Sequence, residues 1–196
     1  TNIIFFFISI FVFIFSVGPN SETISLIGVG ILWTLLLLSS TLSLRKFYQD
    51  DFENGNLFIL HLNGFSLELI CILKTITHFI YVQIPFLLSI PVASILLNIS
   101  LEKVYYLLIS FSLGSIVLSS LGSISSSMNL LNQRNYLLGS VIVMIFSIPV
   151  IIFSISIIND TENFNSLINI LFGIVLILFA INPWASGLCL KIALQN

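Results

Sequence analysis

The chain alternates long apolar runs with short polar breaks. A helix needs about 20 mostly apolar residues to cross the hydrocarbon layer of a bilayer. On that scale the predicted spans are residues 2–17, 24–44, 68–98, 104–127, 135–158 and 165–188. Turn-forming residues separate them, such as Gly18-Pro19-Asn20 after the first and Asn159-Asp160 after the fifth. The pattern predicts an all-α integral membrane protein of about six transmembrane helices, with residues 1–196 forming a single transmembrane domain.

Composition supports this fold class. Hydrophobic residues make up 58% of the 196 and charged residues only 7%, whereas about a quarter of a typical soluble domain is charged. The net charge of −2, with no basic cluster, argues against nucleic-acid binding. Cys71 and Cys189 lie inside apolar runs and form no CxxC pair, so they are interpreted as packing residues at lipid depth.

Basic residues near the ends of the spans predict the orientation, because Lys and Arg mark the inside face of a membrane. With six spans, one side carries Arg45, Lys46, Arg134 and Lys191. The opposite side carries Lys103 with Glu22, Glu102, Asp160 and Glu162. This asymmetry predicts that both termini face inside.

The one long loop, residues 45–66, falls on the inside face between the second and third spans. Apolar positions at helical spacing are Leu44, Phe47, Tyr48 and Phe52. The polar positions between them are Arg45, Lys46, Gln49, Asp50 and Glu53. The pattern predicts a short amphipathic helix that ends at Asn54-Gly55. This helix either lies in the membrane interface or docks an inside partner, and its mixture of charges suits a protein contact better than an anionic lipid surface.

The third span holds ionisable residues at membrane depth. Lys74 and His78 fall roughly 40° apart on a helical wheel, with Cys71 on the same side. A lysine in the middle of a span costs about 2.5–3.5 kcal/mol on insertion scales, so this polar face is expected to point toward protein or water. Pro85 and Pro91 predict that the span is tilted or kinked.

His78 has two interpretations. One is a haem ligand or a proton-relay group, and the other is a hydrogen bond between helices or a position near the interface. The other histidine, His61, lies far away in the inside loop, so a metal site within one chain is not expected.

Small residues recur every fourth position along the fourth span, at Ser115, Ser119, Ser123 and Ser127. This spacing lets another helix approach closely and predicts a packing surface, with a polar conduit as the alternative. The sequence contains no phosphate-binding GxxxxGK[ST] loop and no GxSxG, HExxH or GxGxxG motif. The chain is therefore predicted not to be an enzyme by itself.

An ordered set of motifs resembles the CcmB family, the permease subunits of the cytochrome c maturation ABC transporter. In the first half the set comprises Ser16-Val17-Gly18-Pro19, Gly28-Val29-Gly30-Ile31-Leu32-Trp33, Leu38-Ser39-Ser40, Arg45-x-Phe47-x-x-Asp50-Asp51, Asn54-Gly55-x-Leu57, Lys74-x-x-x-His78, Pro85 and Pro91. Further on it comprises Leu113-Gly114, Leu121-Gly122, Asn182-Pro183-Trp184-Ala185 and Lys191. The chain departs from the family pattern at Phe58, Gly64 and Phe79, where the family usually has an acidic residue, Pro and Trp.

The resemblance implies a six-span permease, coupled to an ATPase on the inside face and acting in haem delivery or in release of a haem-loaded chaperone. The implied partners are a CcmA-like ATPase, CcmC-like and CcmD-like subunits, a CcmE-like haem chaperone, membrane lipid and a possible second copy of the chain. No cofactor is expected on this chain alone, although haem is possible in the assembled complex. The residues it assigns to ATPase docking are Arg45, Phe47, Asp50, Asp51, Gly55 and Leu57.

Composition leaves one alternative function open. Phe, Ile and Asn are abundant and Ala is scarce, which is typical of an AT-rich genome such as an organellar one. A structural hydrophobic subunit of an organellar respiratory complex fits that composition equally well. The expected location is accordingly the mitochondrial inner membrane, with the bacterial inner membrane as the alternative.

Overall fold

The computed structural model describes residues 2–18, 21–44, 47–131 and 137–195, and within these ranges the regular structure is helical. The helices are α1 (Asn2–Val17), α2 (Ser21–Thr41), α3 (Gln49–Glu53), α4 (Asn56–Leu62), α5 (Leu67–His78), α6 (Ile84–Leu96), α7 (Leu101–Leu131), α8 (Leu137–Asn159) and α9 (Phe164–Gln195). A π-helical segment, Phe79–Gln83, joins α5 to α6.

The predicted spans are confirmed as helices, although several ends differ. Within the described residues five helical stretches are long and apolar enough to cross a bilayer, and α1 is a shorter apolar helix of 16 residues. The second span ends at Thr41 and not at residue 44, because the amide and hydroxyl of Ser43 both bond back to the carbonyl of Ser40. The fourth and sixth spans run on to Leu131 and Gln195, beyond the expected ends, since their last turns are too polar to stand out as membrane-spanning.

The third span is one continuous helical run from Leu67 to Leu96, interrupted in hydrogen-bonding pattern by the π segment. Pro85 lies in the first turn of α6, directly after the segment. Its ring has no N–H to donate and would crowd the carbonyl four residues earlier in a regular α-helix. The wider π turn accommodates that defect, so the sequence-predicted irregularity takes the form of a π segment.

Helix α7 lies at the centre of the bundle and packs most extensively against α8 and α9. Its four small residues at spacing four are fully buried, as the packing-surface interpretation requires. Gly114 lets Trp33 of α2 sit directly against the α7 backbone, because a Cβ there would lie 2.6 Å from the Trp33 ring. Trp33 in turn packs on Phe111 with the ring centroids 5.4 Å apart.

The two ends of the bundle are distinct. At one end Tyr48 and Leu57 pack with Leu67, Leu130 and Leu190, which brings the loop after α2 onto the start of α5 and the last turns of α7 and α9. Asn2, at the start of α1, lines a groove at this same end. The beginning of α1 and the end of α9 therefore share a side with the long loop, as expected for six spans. The charge asymmetry of the sequence predicts that this side faces inside.

A glycine-to-alanine pair tests the central position of α7. In Gly114→Ala the new methyl group meets the Trp33 ring at 2.6 Å and Val150 at 3.2 Å, so we expect a loss of about 1–3 kcal/mol in stability. Gly173→Ala in α9 is the matched control, because nothing lies within 4 Å of its Cβ position. Thermal unfolding in mild detergent measures both, and equal midpoints for the two variants would contradict the close approach of α2 and α7.

Candidate functional site

The long inside loop contains two short helices where the sequence predicted one. Helix α3 ends at Asn54-Gly55 as predicted, because Gly55 adopts a left-handed conformation with φ 73° that favours glycine. The chain then starts again as α4. Ser66 caps the third span by accepting a hydrogen bond from the amide of Leu69.

The apolar residues around α3 pack into the protein, whereas several apolar side chains of α4 are exposed. Leu44, Phe47 and Tyr48 are buried, and Phe52 packs against the cluster that contains Phe47 and Tyr48. The first three precede α3, so the predicted stripe belongs partly to the turn that leads into the helix. Gly122 leaves room for this turn, since a Cβ there would lie 2.7 Å from the Leu44 side chain. The loop therefore packs directly against α7.

His78 is the point where the loop meets the third and fourth spans. Its Nε2 atom lies 2.8 Å from the hydroxyl of Ser43, and its Nδ1 atom lies 3.1 Å from the hydroxyl of Ser119 on α7. The ring of Phe47 packs on the imidazole with centroids 4.8 Å apart. This is the helix-to-helix hydrogen bond of the second interpretation, and it engages both ring nitrogens.

The hydrogen-bond partners define the imidazole tautomer. Ser43 gives its single hydroxyl proton to the carbonyl of Ser40 at 2.6 Å, so its oxygen must accept from Nε2–H of His78. Nδ1 then accepts from the hydroxyl of Ser119. A neutral ring protonated on Nε2 satisfies every one of these groups.

A second set of buried polar contacts starts at Tyr48. Its hydroxyl lies 2.7 Å from Ser123 on α7, and Ser123 lies 3.1 Å from Ser186 on α9. Ser186 donates to Asn182 Oδ1, and Asn182 Nδ2 donates to Thr75 on α5, both at 2.9 Å. The chain of bonds thus joins the loop to three membrane-spanning helices.

The direction of these bonds follows from the single proton on each hydroxyl. Because Ser186 donates to Asn182, it must accept from Ser123, and Ser123 must accept from Tyr48. Thr75 completes the chain by donating to the carbonyl of Cys71 at 2.8 Å. Burial raises the pKa of Tyr48 well above its ordinary value, so the phenol keeps the proton that it donates.

Asp51 forms the third attachment of the loop. Its Oδ2 atom pairs with the ammonium group of Lys74, and its Oδ1 atom accepts a hydrogen bond from Asn56 Nδ2 at 3.2 Å. The Lys74 and Asp51 side chains are 29% and 26% exposed, so the pair lies at the edge of the bundle. Lys74 therefore has a counter-ion within its own chain.

The structure places the residues assigned to docking in different environments. Phe47 and Leu57 are buried within the chain, while Asp51 is occupied by Lys74 and Asn56. Asp50 is exposed on α3. Gly55 is the joint between the two short helices. Arg45 lies outside the described residues.

Sequence reasoning missed the polar contacts that hold the loop. The sequence pattern places Tyr48 in an apolar stripe, and Asn182 enters only as part of a family motif. The available signal was polar residues inside otherwise apolar spans, since such residues must find partners there. Their pairing depends on the relative rotation and depth of α5, α7 and α9, which periodicity within each helix does not specify.

The His78 contacts can be tested with the two histidines of the chain. His78→Leu removes both hydrogen bonds and leaves Ser43 and Ser119 facing an apolar side chain, so we expect a loss of about 1–3 kcal/mol in stability. His61→Leu is the matched control, because His61 is exposed and should change stability by no more than about 0.5 kcal/mol. Unfolding by detergent titration measures both, and a stable His78→Leu variant would count against the bridge.

The Tyr48 chain can be tested by removing one hydroxyl. Tyr48→Phe leaves Ser123 without its donor, and we expect the free energy of unfolding to fall by about 0.5–1.5 kcal/mol. Tyr81→Phe makes the same chemical change at a position that is 77% exposed and should behave like the unmodified chain. Thermal midpoints of the purified variants check this, and equal midpoints would show that the hydroxyl of Tyr48 adds nothing.

Comparison with known proteins identifies relatives of this chain. The family described as CcmB protein matches residues 1–193. Heme exporter protein B of Haemophilus influenzae is 32% identical over 143 residues, covering 72% of this chain and 65% of that protein. The protein of the same name from Bradyrhizobium diazoefficiens is 29% identical over 194 residues, covering 97% and 87%. The one from Paracoccus denitrificans is 36% identical over 130 residues, covering 66% and 60%.

The matches differ in how much of each relative they include. The chain spans somewhat less than two thirds of the Haemophilus and Paracoccus proteins and most of the Bradyrhizobium protein. The family match, in contrast, extends over nearly every residue. It includes every described helix apart from the last two residues of α9, together with the inside loop. The chain therefore belongs to the CcmB protein family.

Proposed function

We propose that this chain is the membrane permease subunit of an ABC-type haem exporter that serves cytochrome c biogenesis. The observation that carries the proposal is the CcmB family match over residues 1–193. The relatives named heme exporter protein B add the substrate class. These matches favour this function over a structural subunit of a respiratory complex, which rested on composition alone.

The chain acts mechanically in this proposal, and a partner ATPase hydrolyses ATP. The inside loop is the natural contact, because polar bonds of Tyr48 and Asp51 fasten it to the spans and the ring of Phe47 packs on His78. A movement imposed on the loop by nucleotide-driven closure of the ATPase would reach α5 and α7 through these bonds. The spans then serve haem delivery or the release of a haem-loaded chaperone.

The exposed face of α3 is the proposed docking surface for the ATPase. It presents the carboxylates of Asp50 and Glu53, the latter held by a 2.7 Å hydrogen bond from Gln49. Phe47 and Leu57, which are buried, hold the loop in place and do not touch the partner. An acidic surface of this kind is complementary to basic side chains on the ATPase.

The remaining partners come from the family resemblance. They are CcmC-like and CcmD-like subunits and a CcmE-like haem chaperone, with a second copy of the chain in the assembled transporter. Any haem is cargo of the complex in this proposal. The complex resides in the inner membrane of a bacterium or a mitochondrion.

Charge reversal tests the docking surface. Asp50→Lys combined with Glu53→Lys should strongly reduce the ATPase subunit that copurifies with the tagged chain in mild detergent, because two attractions become repulsions. The matched control is Glu102→Lys with Glu162→Lys, two exposed acidic residues at the opposite end of the bundle. Unchanged copurification of the double variant would refute docking on α3. Absence of an ATPase from the unmodified complex would refute the proposed function itself.

A further inference from the structure

We propose that Asp51 is a positioning residue, and that its ion pair with Lys74 carries movement of the inside loop into the third membrane span. The inference rests on the proposed function, since it assumes that an ATPase moves the loop. Asp51 and its neighbour Asp50 then have different roles. Asp51 faces the protein and transmits movement, while Asp50 faces the partner.

The contacts of Asp51 join three helices at one carboxylate. The residue belongs to α3, its Oδ2 atom pairs with Lys74 of α5, and its Oδ1 atom accepts from Asn56 at the start of α4. Both oxygens are therefore occupied by groups of this chain. A carboxylate used in this way ties the two short helices to each other and to the span.

Adjacent positions on α3 explain why Asp50 has a different environment. Consecutive residues of a helix point about 100° apart, so the two carboxylates point in different directions. Asp51 faces α5 and is 26% exposed, whereas Asp50 is exposed. Asp50 is close enough to influence the charge on Lys74, but the direct ion pair belongs to Asp51.

Lys74 needs this partner because of its depth. It is the eighth residue of α5, about 10 Å along the helix from Leu67. A lysine at that depth is costly unless it is paired or reaches water. The Asp51 carboxylate supplies the counter-ion, so displacing the loop would pull on Lys74 and hence on α5.

The loop holds α5 directly before the π segment. Lys74 and His78 are four residues apart and therefore share one face of the helix. Asp51 contacts the first, and Phe47 with Ser43 contacts the second. The π segment begins at the next residue, Phe79. Single π turns occur frequently at functional sites. This one lies between α5, which the loop contacts, and α6, so force from the loop would enter α6 through it.

A charge swap in the purified complex tests the proposal. Asp51→Asn and Lys74→Met should leave ATPase copurification close to that of the unmodified complex. ATP turnover of the same complexes, measured as phosphate release, should fall about tenfold, which corresponds to about 1.4 kcal/mol in the activation free energy. Asp51→Lys combined with Lys74→Asp keeps one charge of each sign and should restore most of the turnover.

The matched controls are the two single reversals. Asp51→Lys alone and Lys74→Asp alone should each leave turnover low, because each sets two like charges against one another at the position of the ion pair. If a single variant fails to yield a monodisperse complex, ATP turnover of the swapped pair tests the proposal, since that variant retains the ion pair. Retained ATPase binding with normal turnover in Asp51→Asn, or a swap no better than Lys74→Asp alone, would overturn the positioning role. Absence of an ATPase from the purified unmodified complex would refute the proposed function. This outcome concerns the unmodified chain, so it is distinguishable from the two variant outcomes.

Discussion

Polar groups within a bilayer must be satisfied by other groups of the protein, because the hydrocarbon offers no water to replace a missing partner. In this chain the polar side chains of three spans meet this requirement together. His78 bridges Ser43 and Ser119, while Tyr48 begins a chain of bonds that ends on α5. Gln83, buried at the end of the π segment, has no protein partner among the described residues, and neither do the indole N–H of Trp33 and several buried serine hydroxyls. A buried water is the ordinary way to satisfy such groups.

These bonds can form only because the helices approach closely around α7. Its glycines and serines replace bulky side chains along the surfaces that face α2, α9 and the loop. The same close approach brings short hydroxyl groups within hydrogen-bonding distance of one another, which longer side chains on those faces would prevent. Packing and polar pairing are therefore two results of one pattern of small residues, and the packing of the inside loop against α7 depends on both.

The loop is consequently an extension of the membrane domain and not a separate element at its surface. Its residues Phe47, Tyr48 and Leu57 are buried, and Asp51 ties its two short helices to Lys74. What remains exposed on α3 is acidic, which suits contact with a basic partner surface. A loop with this construction can receive force on one face and pass it to the spans on the other, as expected of a permease driven by a separate ATPase.

The sequence by itself determined the membrane class, the helical spans, the shared side of the loop and both ends of the chain, and the stop at Asn54-Gly55. These features depend on apolar length, charge asymmetry and local turn chemistry, which act within short segments. Tertiary structure decided that Phe47 and Tyr48 turn inward, that Asp51 faces Lys74 while Asp50 faces water, and that Pro85 is accommodated by a π segment. Each of these depends on which helices are neighbours and at what depth and rotation they meet, and the periodicity within one helix does not carry that information.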